Sequence, residues 1–205
     1  MPDLLPRADD CLLVIDVQND FCEGGALAVP GGAEVLGPIE ALMERVEHVV
    51  LTQDWHPAGH SSFAAEHPGR APYDVVDMPY GPQTLWPVHC VQGSEGARLH
   101  AGLDVDRARL TIRKGFRTAI DSYSAFREND GETATGLAGY LRERGTRRVI
   151  CVGLALDFCV RWSAEDARRA GFEAMVVEAA CRGIDLDGSV DAARAAMREA
   201  GVAIV

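Results

Sequence analysis

Residues 148–171 read RVICVGLALDFCVRWSAEDARRAG, and this stretch decides the fold. It opens with an apolar run at 148–153 that is typical of a buried strand. Apolar residues at helical spacing follow over 157–170, and Gly171 is typical of a helix end. The next apolar run, 172–177, predicts a second strand. A strand, a helix and a strand in this order predict a βαβ unit with parallel strands.

The same alternation runs through the rest of the chain. Apolar runs predict further strands at 11–17, 48–52, 109–113 and 202–205, and helical periodicity predicts helices at 33–44, 133–144 and 188–200. Pro38 lies inside the first of these helices and predicts either a kink or a helix start at that residue. We therefore expect an α/β fold in one domain, residues 1–205. Its central sheet should be mostly parallel, with helices on both faces.

Composition and charge exclude several classes of protein. The net charge of −11 would repel a nucleic-acid backbone or an anionic membrane surface, so we expect neither as a partner. No apolar run approaches the roughly 18 residues of a membrane span, and the acidic N-terminal residues do not resemble a signal peptide. The six cysteines form no CxxC pair, which predicts a reduced, cytoplasmic protein.

The basic residues are unusual, because 19 of the 20 are arginine and the single lysine is Lys114. One interpretation is a task that needs a compact ammonium group, which the planar guanidinium of arginine cannot replace. The other is that one lysine has survived by chance. The count leaves both open.

A long segment, 54–107, lacks clear periodicity and is rich in Pro, Gly and His. Such a segment in a small domain is usually functional. Asp54 and His56 follow a predicted strand, and His60 and His89 lie further along; these are ligand types of zinc or iron sites. An isolated Asp-x-His is more often a surface turn, so the metal site remains one of two interpretations.

Cys159 follows the strand at 148–153. We expect a helix to begin near Asp157 as its N-cap, with Cys159 in the first turn, where the helix dipole would lower the thiol pKa. A catalytic nucleophile and a buried core cysteine are both compatible with this position. If the histidines bind metal, the base would have to be another group. Asp16 at the end of the first strand is a candidate, with Lys114 as the cation that holds the thiolate.

These residues together resemble the nicotinamidase branch of the isochorismatase-like cysteine hydrolases. The matching motifs occur in the family's order and cover most of the chain: IDVQNDF at 15–21, TQDWHPAGHSSF at 52–63, WPVHCVQG at 86–93, RKGF at 113–116, DSYSAF at 121–126 and GLALDFCV at 153–160. The family has a single α/β domain with a mostly parallel sheet and hydrolyses nicotinamide to nicotinate and ammonia. The resemblance implies the same fold and reaction here, with pyrazinamide as a further substrate.

The resemblance also implies roles for individual residues. It implies a catalytic triad of Asp16, Lys114 and Cys159, with the backbone N–H groups of Ala155 and Cys159 as oxyanion donors. The implied ring pocket consists of Phe21, Trp86, Tyr123 and Ala155, and the implied metal ligands are Asp54, His56 and His89. His60 matches a fourth ligand of some members, whereas other members use water.

Two local features accompany the motif around Cys159. The Leu154–Ala155 bond matches a cis peptide of the family. Leu156 stands where the family usually has Thr. The hydrogen bonding of the oxyanion loop can therefore differ from that of the family.

The cofactor implied by these residues is a divalent metal ion, zinc or iron in the first place and manganese in the second. The expected role is hydrolysis of nicotinamide in NAD salvage, in the cytoplasm, and the sequence allows a homo-oligomer. Two alternatives remain. One is another small-amide hydrolase of the superfamily, of the carbamoyl or isochorismatase type, and the other is a non-catalytic metal-binding protein. The Asp-x-His…His set favours nicotinamidase, because the former relatives generally lack it.

Overall fold

The computed structural model describes residues 5–205, and six of the strands in this range form one sheet. The strands of the described chain are β1 (Asp10–Ile15), β2 (Val49–Asp54), β3 (Val75–Met78), β4 (Gly81–Thr84), β5 (Leu110–Lys114), β6 (Arg148–Leu154), β7 (Glu173–Arg182) and β8 (Ala203–Ile204). The order across the main sheet is β5-β2-β1-β6-β7-β8, and every neighbouring pair is parallel. The predicted parallel α/β sheet is confirmed.

Helices cover both faces of this sheet. They are α1 (Leu36–Met43), α2 (Leu137–Glu143), α3 (Arg161–Arg169) and α4 (Ser189–Glu199). Successive strand residues point to opposite faces, so Leu12 packs on the side of α1, whereas Leu13 packs on the side of α2, α3 and α4. Because both faces are covered, the central strands contain continuous apolar runs, such as residues 11–15 of β1 and 149–152 of β6, and these runs make them recognisable in the sequence.

Helix starts differ most from the sequence expectations. The segment 33–44 is a 3₁₀ turn, Gly32–Val35, followed by α1, so Pro38 is neither a kink nor the first residue. It lies in the first helical turn, where its missing N–H has no intrahelical partner to lose. Helix α2 begins at Leu137, four residues later than expected, because the Thr135 hydroxyl donates to the Ala125 carbonyl (2.6 Å) and holds the preceding residues in a loop.

The segment 54–107 contains an antiparallel hairpin, β3–β4, that periodicity did not reveal. Most of its residues are at least partly exposed, and Pro82 and Gly81 are atypical of strands. Only Gln83 is buried, and its Nε2 connects the hairpin to the rest of the domain, because it donates to Asp121 Oδ2 (2.7 Å) and to the Tyr123 hydroxyl (3.0 Å). Among the described residues, no helix is both long and apolar enough to cross a membrane.

Candidate active site

Four adjacent strands, β5, β2, β1 and β6, bring the candidate catalytic residues to one edge of the sheet. Asp16 follows β1, Asp54 is the last residue of β2 and Lys114 is the last residue of β5. Cys159 follows β6 by a short turn. Parallel strands place their carboxyl ends together, and ligand sites of open α/β sheets form there, next to the point where strand order reverses.

Lys114 lies at the centre of this group and is buried (1% exposed). Its Nζ is 2.8 Å from Asp16 Oδ2, 3.0 Å from Asp54 Oδ1 and 3.4 Å from Cys159 Sγ. A fourth contact, 2.9 Å, is to the carbonyl oxygen of Ser122. Burial lowers the pKa of Lys114, but the Asp16 and Asp54 carboxylates outweigh it and hold that pKa well above its ordinary value. The ammonium group is therefore charged and compensates two buried carboxylates.

Asp16 is fully buried and is held by Thr52 of the neighbouring strand β2. The Thr52 hydroxyl donates to Asp16 Oδ1 at 2.5 Å and accepts the Asp16 N–H at 3.1 Å. The backbone at Asp16 has a positive φ of 50°, which turns the chain away from the sheet at this residue. Burial raises the pKa of Asp16, whereas Lys114 lowers it, and the net direction is upward. A carboxylate with a raised pKa is a better proton acceptor.

Cys159 lies in a π-helical turn, Leu156–Val160, that precedes α3, and not in the first turn of an α-helix. The expected lowering of its pKa is wrong for this structure. Burial raises the pKa of the thiol well above its ordinary value, Lys114 opposes that rise, and the Asp16 and Asp54 carboxylates add to it. A nucleophile in this position needs a base to remove its proton.

Asp157 is not a helix N-cap, so that expectation is also wrong. The N-cap position is Ala155, and the Asp157 side chain is buried within the turn. Its carboxylate accepts hydrogen bonds from the N–H groups of Ile184 (3.0 Å) and Asp185 (2.8 Å) and from the Ser189 hydroxyl (2.5 Å). Asp157 thus ties the turn that carries Cys159 to the loop after β7.

A second cluster lies beside Lys114 and consists of Asp54, His56 and His89, all buried. Asp54 Oδ2 is 2.9 Å from His56 Nε2 and 3.3 Å from His89 Nε2. The other ring nitrogen of each histidine is held by a backbone carbonyl oxygen. His56 Nδ1 lies 2.9 Å from the Gly115 oxygen, and His89 Nδ1 lies 2.8 Å from the Pro87 oxygen. A carbonyl only accepts, so each Nδ1 carries the hydrogen and a neutral ring leaves the Nε2 lone pair free.

When both rings are neutral, three acceptor atoms therefore face one another with no hydrogen between them. They are Asp54 Oδ2, His56 Nε2 and His89 Nε2. Such an arrangement is repulsive unless a cation lies there, and it is the donor set of a zinc or iron site. The residues fit a divalent metal ion.

Gly115 makes room for this cluster. Its φ is 65°, and a Cβ at this position would lie 2.6 Å from His56 Cε1 and 3.0 Å from Asp54 Oδ1. The glycine of the RKGF motif is thus required on steric grounds.

His60 occupies a different place from the other three candidates. Its ring lies against His56, with 4.2 Å between ring centroids, and its Nε2 is 3.2 Å from the carbonyl oxygen of Ile120. The Ser62 N–H donates to its Nδ1 at 3.3 Å. It forms a second ligand-type group with His56 and Asp121, so its participation in the metal site stays a prediction.

A pocket opens between the thiol and the metal-ligand cluster. Its walls include all the residues that the resemblance assigns to the ring pocket, namely Phe21, Trp86, Tyr123 and Ala155. Leu27, Asp121, Phe158 and Ile184, which sequence reasoning missed, also line it. Phe158 packs edge-on against Trp86, with 4.8 Å between ring centroids, so the walls form a narrow aromatic slot. The Leu154–Ala155 bond below this pocket is cis, as the resemblance implies.

The Leu156 side chain packs in the hydrophobic core with residues of α3, and as a hydrocarbon it offers no hydrogen bond to the oxyanion loop.

Two further residues of the IDVQNDF motif bind backbone atoms of the site with their side chains. The Gln18 side chain bonds to the main chain of Asp54, and Asp20 Oδ2 accepts the Cys90 N–H at 2.7 Å, next to His89. The motif itself was the only sequence signal for them, because their partners are backbone atoms that no side-chain pattern reveals.

An α/β fold with a buried thiol, lysine and carboxylate at the carboxyl edge of its sheet is typical of enzymes that use an activated nucleophile. The sequence model of the Isochorismatase domain family matches residues 10–205, and the chain belongs to this family.

Individual relatives agree closely with this assignment. A nicotinamidase of Acinetobacter baylyi is 51% identical over 199 residues, which are 97% of this chain and 93% of that protein. The solved structure of an Acinetobacter baumanii nicotinamidase/pyrazinamidase superposes with a TM-score of 0.96 at 50% identity, covering 97% of this chain and 96% of the other. A Pyrococcus horikoshii pyrazinamidase, solved in complex with zinc, gives a TM-score of 0.77 at 33% identity, covering 96% and 98%.

Proposed function

We propose that this protein is a nicotinamidase, an amidohydrolase that converts nicotinamide to nicotinate and ammonia and also accepts pyrazinamide. The observation that carries the proposal is the position of Lys114 Nζ, within 3.4 Å of the Cys159 thiol and of both the Asp16 and Asp54 carboxylates. This group adjoins an aromatic slot and a metal-ligand set. The relatives named above support the same substrate class.

The first half of the reaction forms a thioester. Asp16 accepts the Cys159 proton, which its raised pKa favours, and Lys114 holds the resulting thiolate. Sγ attacks the amide carbon, and the backbone N–H groups of Ala155 and Cys159 stabilise the oxyanion. The carbon–nitrogen bond then breaks as Asp16 passes its proton to the leaving nitrogen, which departs as ammonia.

The second half hydrolyses the thioester. Asp16 removes a proton from water, the oxygen attacks the thioester carbon, and the carbon–sulfur bond breaks. The proton on Asp16 returns to Sγ, which restores the enzyme, and the product acid leaves and loses its remaining proton to water as nicotinate. Lys114 stays charged throughout and keeps the Asp16 carboxylate oriented.

Asp54, His56 and His89 would hold a divalent metal ion, with zinc and iron as the first candidates and manganese as the next. The ion would supply a ligand position for the pyridine nitrogen and so orient the ring. We further propose that residues 1–205 form one domain and that the protein works in the cytoplasm in NAD salvage. Six free cysteines support a reducing compartment.

Ammonia release by purified protein loaded with zinc or iron tests the proposal. Nicotinamide and pyrazinamide should release ammonia, and N-carbamoylsarcosine should not. Cys159→Ala should abolish turnover while the melting temperature stays close to that of the wild type, and Cys22→Ala, another buried cysteine, serves as the matched control. Substantial turnover by the Cys159→Ala protein would exclude the thioester route, and a preference for the carbamoyl compound would favour the alternative hydrolase.

A further inference from the structure

Gln18 takes no part in the chemistry proposed above, yet its side chain is completely buried beside the site. Burying a primary amide is costly unless its donors and acceptor are all hydrogen-bonded. The bonds it makes therefore indicate what it does.

Each of the three hydrogen bonds of the Gln18 side chain goes to a main-chain group, and two of them go to Asp54. Gln18 Oε1 accepts the Asp54 N–H at 2.8 Å, and Nε2 donates to the Asp54 carbonyl at 2.8 Å. The second hydrogen of Nε2 goes to the Ala97 carbonyl at 2.9 Å. The amide thus pairs with both main-chain groups of Asp54, as a neighbouring strand would do.

The sheet explains why Asp54 needs such a partner. The ladder between β1 and β2 ends at the pair Val14 and Leu51, whereas β2 continues to Asp54. On the other side Asp54 still pairs with Lys114 of β5. After Asp16 the chain turns away, and the side chain of Gln18 replaces the strand that has left.

The position of this main chain decides where both oxygens of Asp54 lie. Oδ1 is 3.0 Å from Lys114 Nζ, and Oδ2 faces His56 and His89. A rotation or shift of the Asp54 backbone would move one oxygen away from its partners.

We propose that Gln18 is a positioning residue that fixes the main chain of Asp54, so that its carboxylate serves the lysine and the metal-ligand set at once. This inference rests on the proposed function, because it assigns the ligand role to Asp54.

The experiment measures metal binding by the full chain without substrate. Metal-free wild type, Gln18→Met and Gln53→Met are titrated with Co²⁺ and with Zn²⁺ against a chelator of known affinity. Gln53 is the matched control, since it also donates to the Ala97 carbonyl, at 2.8 Å, but does not hold Asp54. Loss of a residue that orients a metal ligand typically weakens metal binding about 10- to 100-fold. We expect such a loss, with altered Co²⁺ absorption bands, in Gln18→Met and not in Gln53→Met.

Kinetics give a second measurement. Excess metal should restore much of the nicotinamide turnover of Gln18→Met, which it would not do for a protein that is merely unstable. If Gln18→Met does not fold, Gln18→Asn replaces it, because the shorter amide cannot reach both Asp54 groups.

Each outcome decides the matter. Wild-type affinity and an unchanged Co²⁺ spectrum in a folded Gln18 variant would overturn the inference, and so would failure of both variants to fold while Gln53→Met folds, since Gln18 would then serve folding alone. Failure of the wild type itself to bind metal would instead contradict the metal site of the proposed function.

Discussion

Asp54 and Lys114 form a buried ion pair, with 3.0 Å between Oδ1 and Nζ, that connects two functional groups of residues. Lys114 contacts Asp16 and Cys159, and these three residues form the proposed catalytic triad. The other Asp54 oxygen faces His56 and His89 in the metal-ligand set. A change at Asp54 should therefore affect both groups, but a change at His89 should affect only the second.

Asp54→Asn and His89→Asn should separate these effects. Both variants should lose metal. Burial raises the pKa of the Cys159 thiol, and the Asp54 charge raises it further, so removal of that charge should lower the pKa. Metal-free Asp54→Asn should then be alkylated at Cys159 by iodoacetamide faster at pH 7.5 than metal-free His89→Asn, as followed by peptide mass spectrometry. Equal rates would mean that Asp54 does not act on the thiol.

Lys114→Arg should impair turnover severely although it keeps the charge. The Nζ position is surrounded by Asp16, Asp54, Cys159 and the Ser122 carbonyl, and the planar guanidinium is too large for it. A displacement of about 1 Å at a catalytic group can cost about 100-fold, and we expect at least that loss in kcat/KM. The matched control is Arg113→Lys, an exposed neighbour on β5. Near-normal activity of Lys114→Arg would mean that the single lysine of the chain is a chance survivor.

The sequence predicts most of the sheet, because strands buried on both faces contain continuous apolar runs, as in β1 and β6. It also predicts which residues lie together, since Asp16, Asp54 and Lys114 all lie at the carboxyl ends of parallel strands. The motifs extend this to the pocket wall and the metal-ligand set.

Three features lie beyond this reasoning for physical reasons. Gln18 binds backbone atoms, and backbone atoms carry no sequence signature. Asp157 looks like an N-cap in the sequence, but the turn after the cis peptide is π-helical and buries that carboxylate. The pKa of Cys159 depends on burial, which at this position outweighs the neighbouring cation.

His48 should make stability dependent on pH away from the active site. The residue is 8% exposed, and its Nε2 is 3.1 Å from the Tyr140 hydroxyl. Burial, with help from Arg109 and Arg144, lowers its pKa below the ordinary value of 6.5, so the unfolded chain binds a proton more readily than the folded one. The His48 contribution is therefore fully present above pH 6.5 and is lost as the pH falls through the folded pKa.

Urea unfolding of metal-free protein at pH 7.5, 6.5 and 5.5 measures this contribution. Wild type should lose more free energy of unfolding on acidification than His48→Gln does, with a difference of at most about 1.4 kcal/mol per pH unit. His100→Gln, a change at a half-buried histidine, should behave like wild type. Parallel pH profiles for wild type and His48→Gln would contradict the prediction.

The ring nitrogen of the substrate should decide turnover. The Cys159 thiol already has a base in Asp16 and a cation in Lys114. Orientation of the substrate is therefore the task left for a metal ion held by Asp54, His56 and His89. Benzamide has the same shape and the same amide as nicotinamide but carries C–H in place of that nitrogen. Its kcat/KM should be lower by about 100-fold or more, because misplacement of a reacting group costs that much. Pyrazinamide keeps the nitrogen and should be hydrolysed.

Removal of the metal should erase this preference. A chelator, or His56→Ala, should lower nicotinamide turnover toward the benzamide rate and leave the benzamide rate itself nearly unchanged, since benzamide has no ring nitrogen to offer to the metal. His67→Ala, a half-buried histidine outside the site, is the control and should keep the full preference. Ammonia release from both amides, measured with and without metal, gives the four rates that are needed.

If metal-loaded protein hydrolyses benzamide and nicotinamide with similar efficiency, the metal does not anchor the ring. A benzamide rate that falls with the nicotinamide rate would instead assign the metal to structure or to the activation of water.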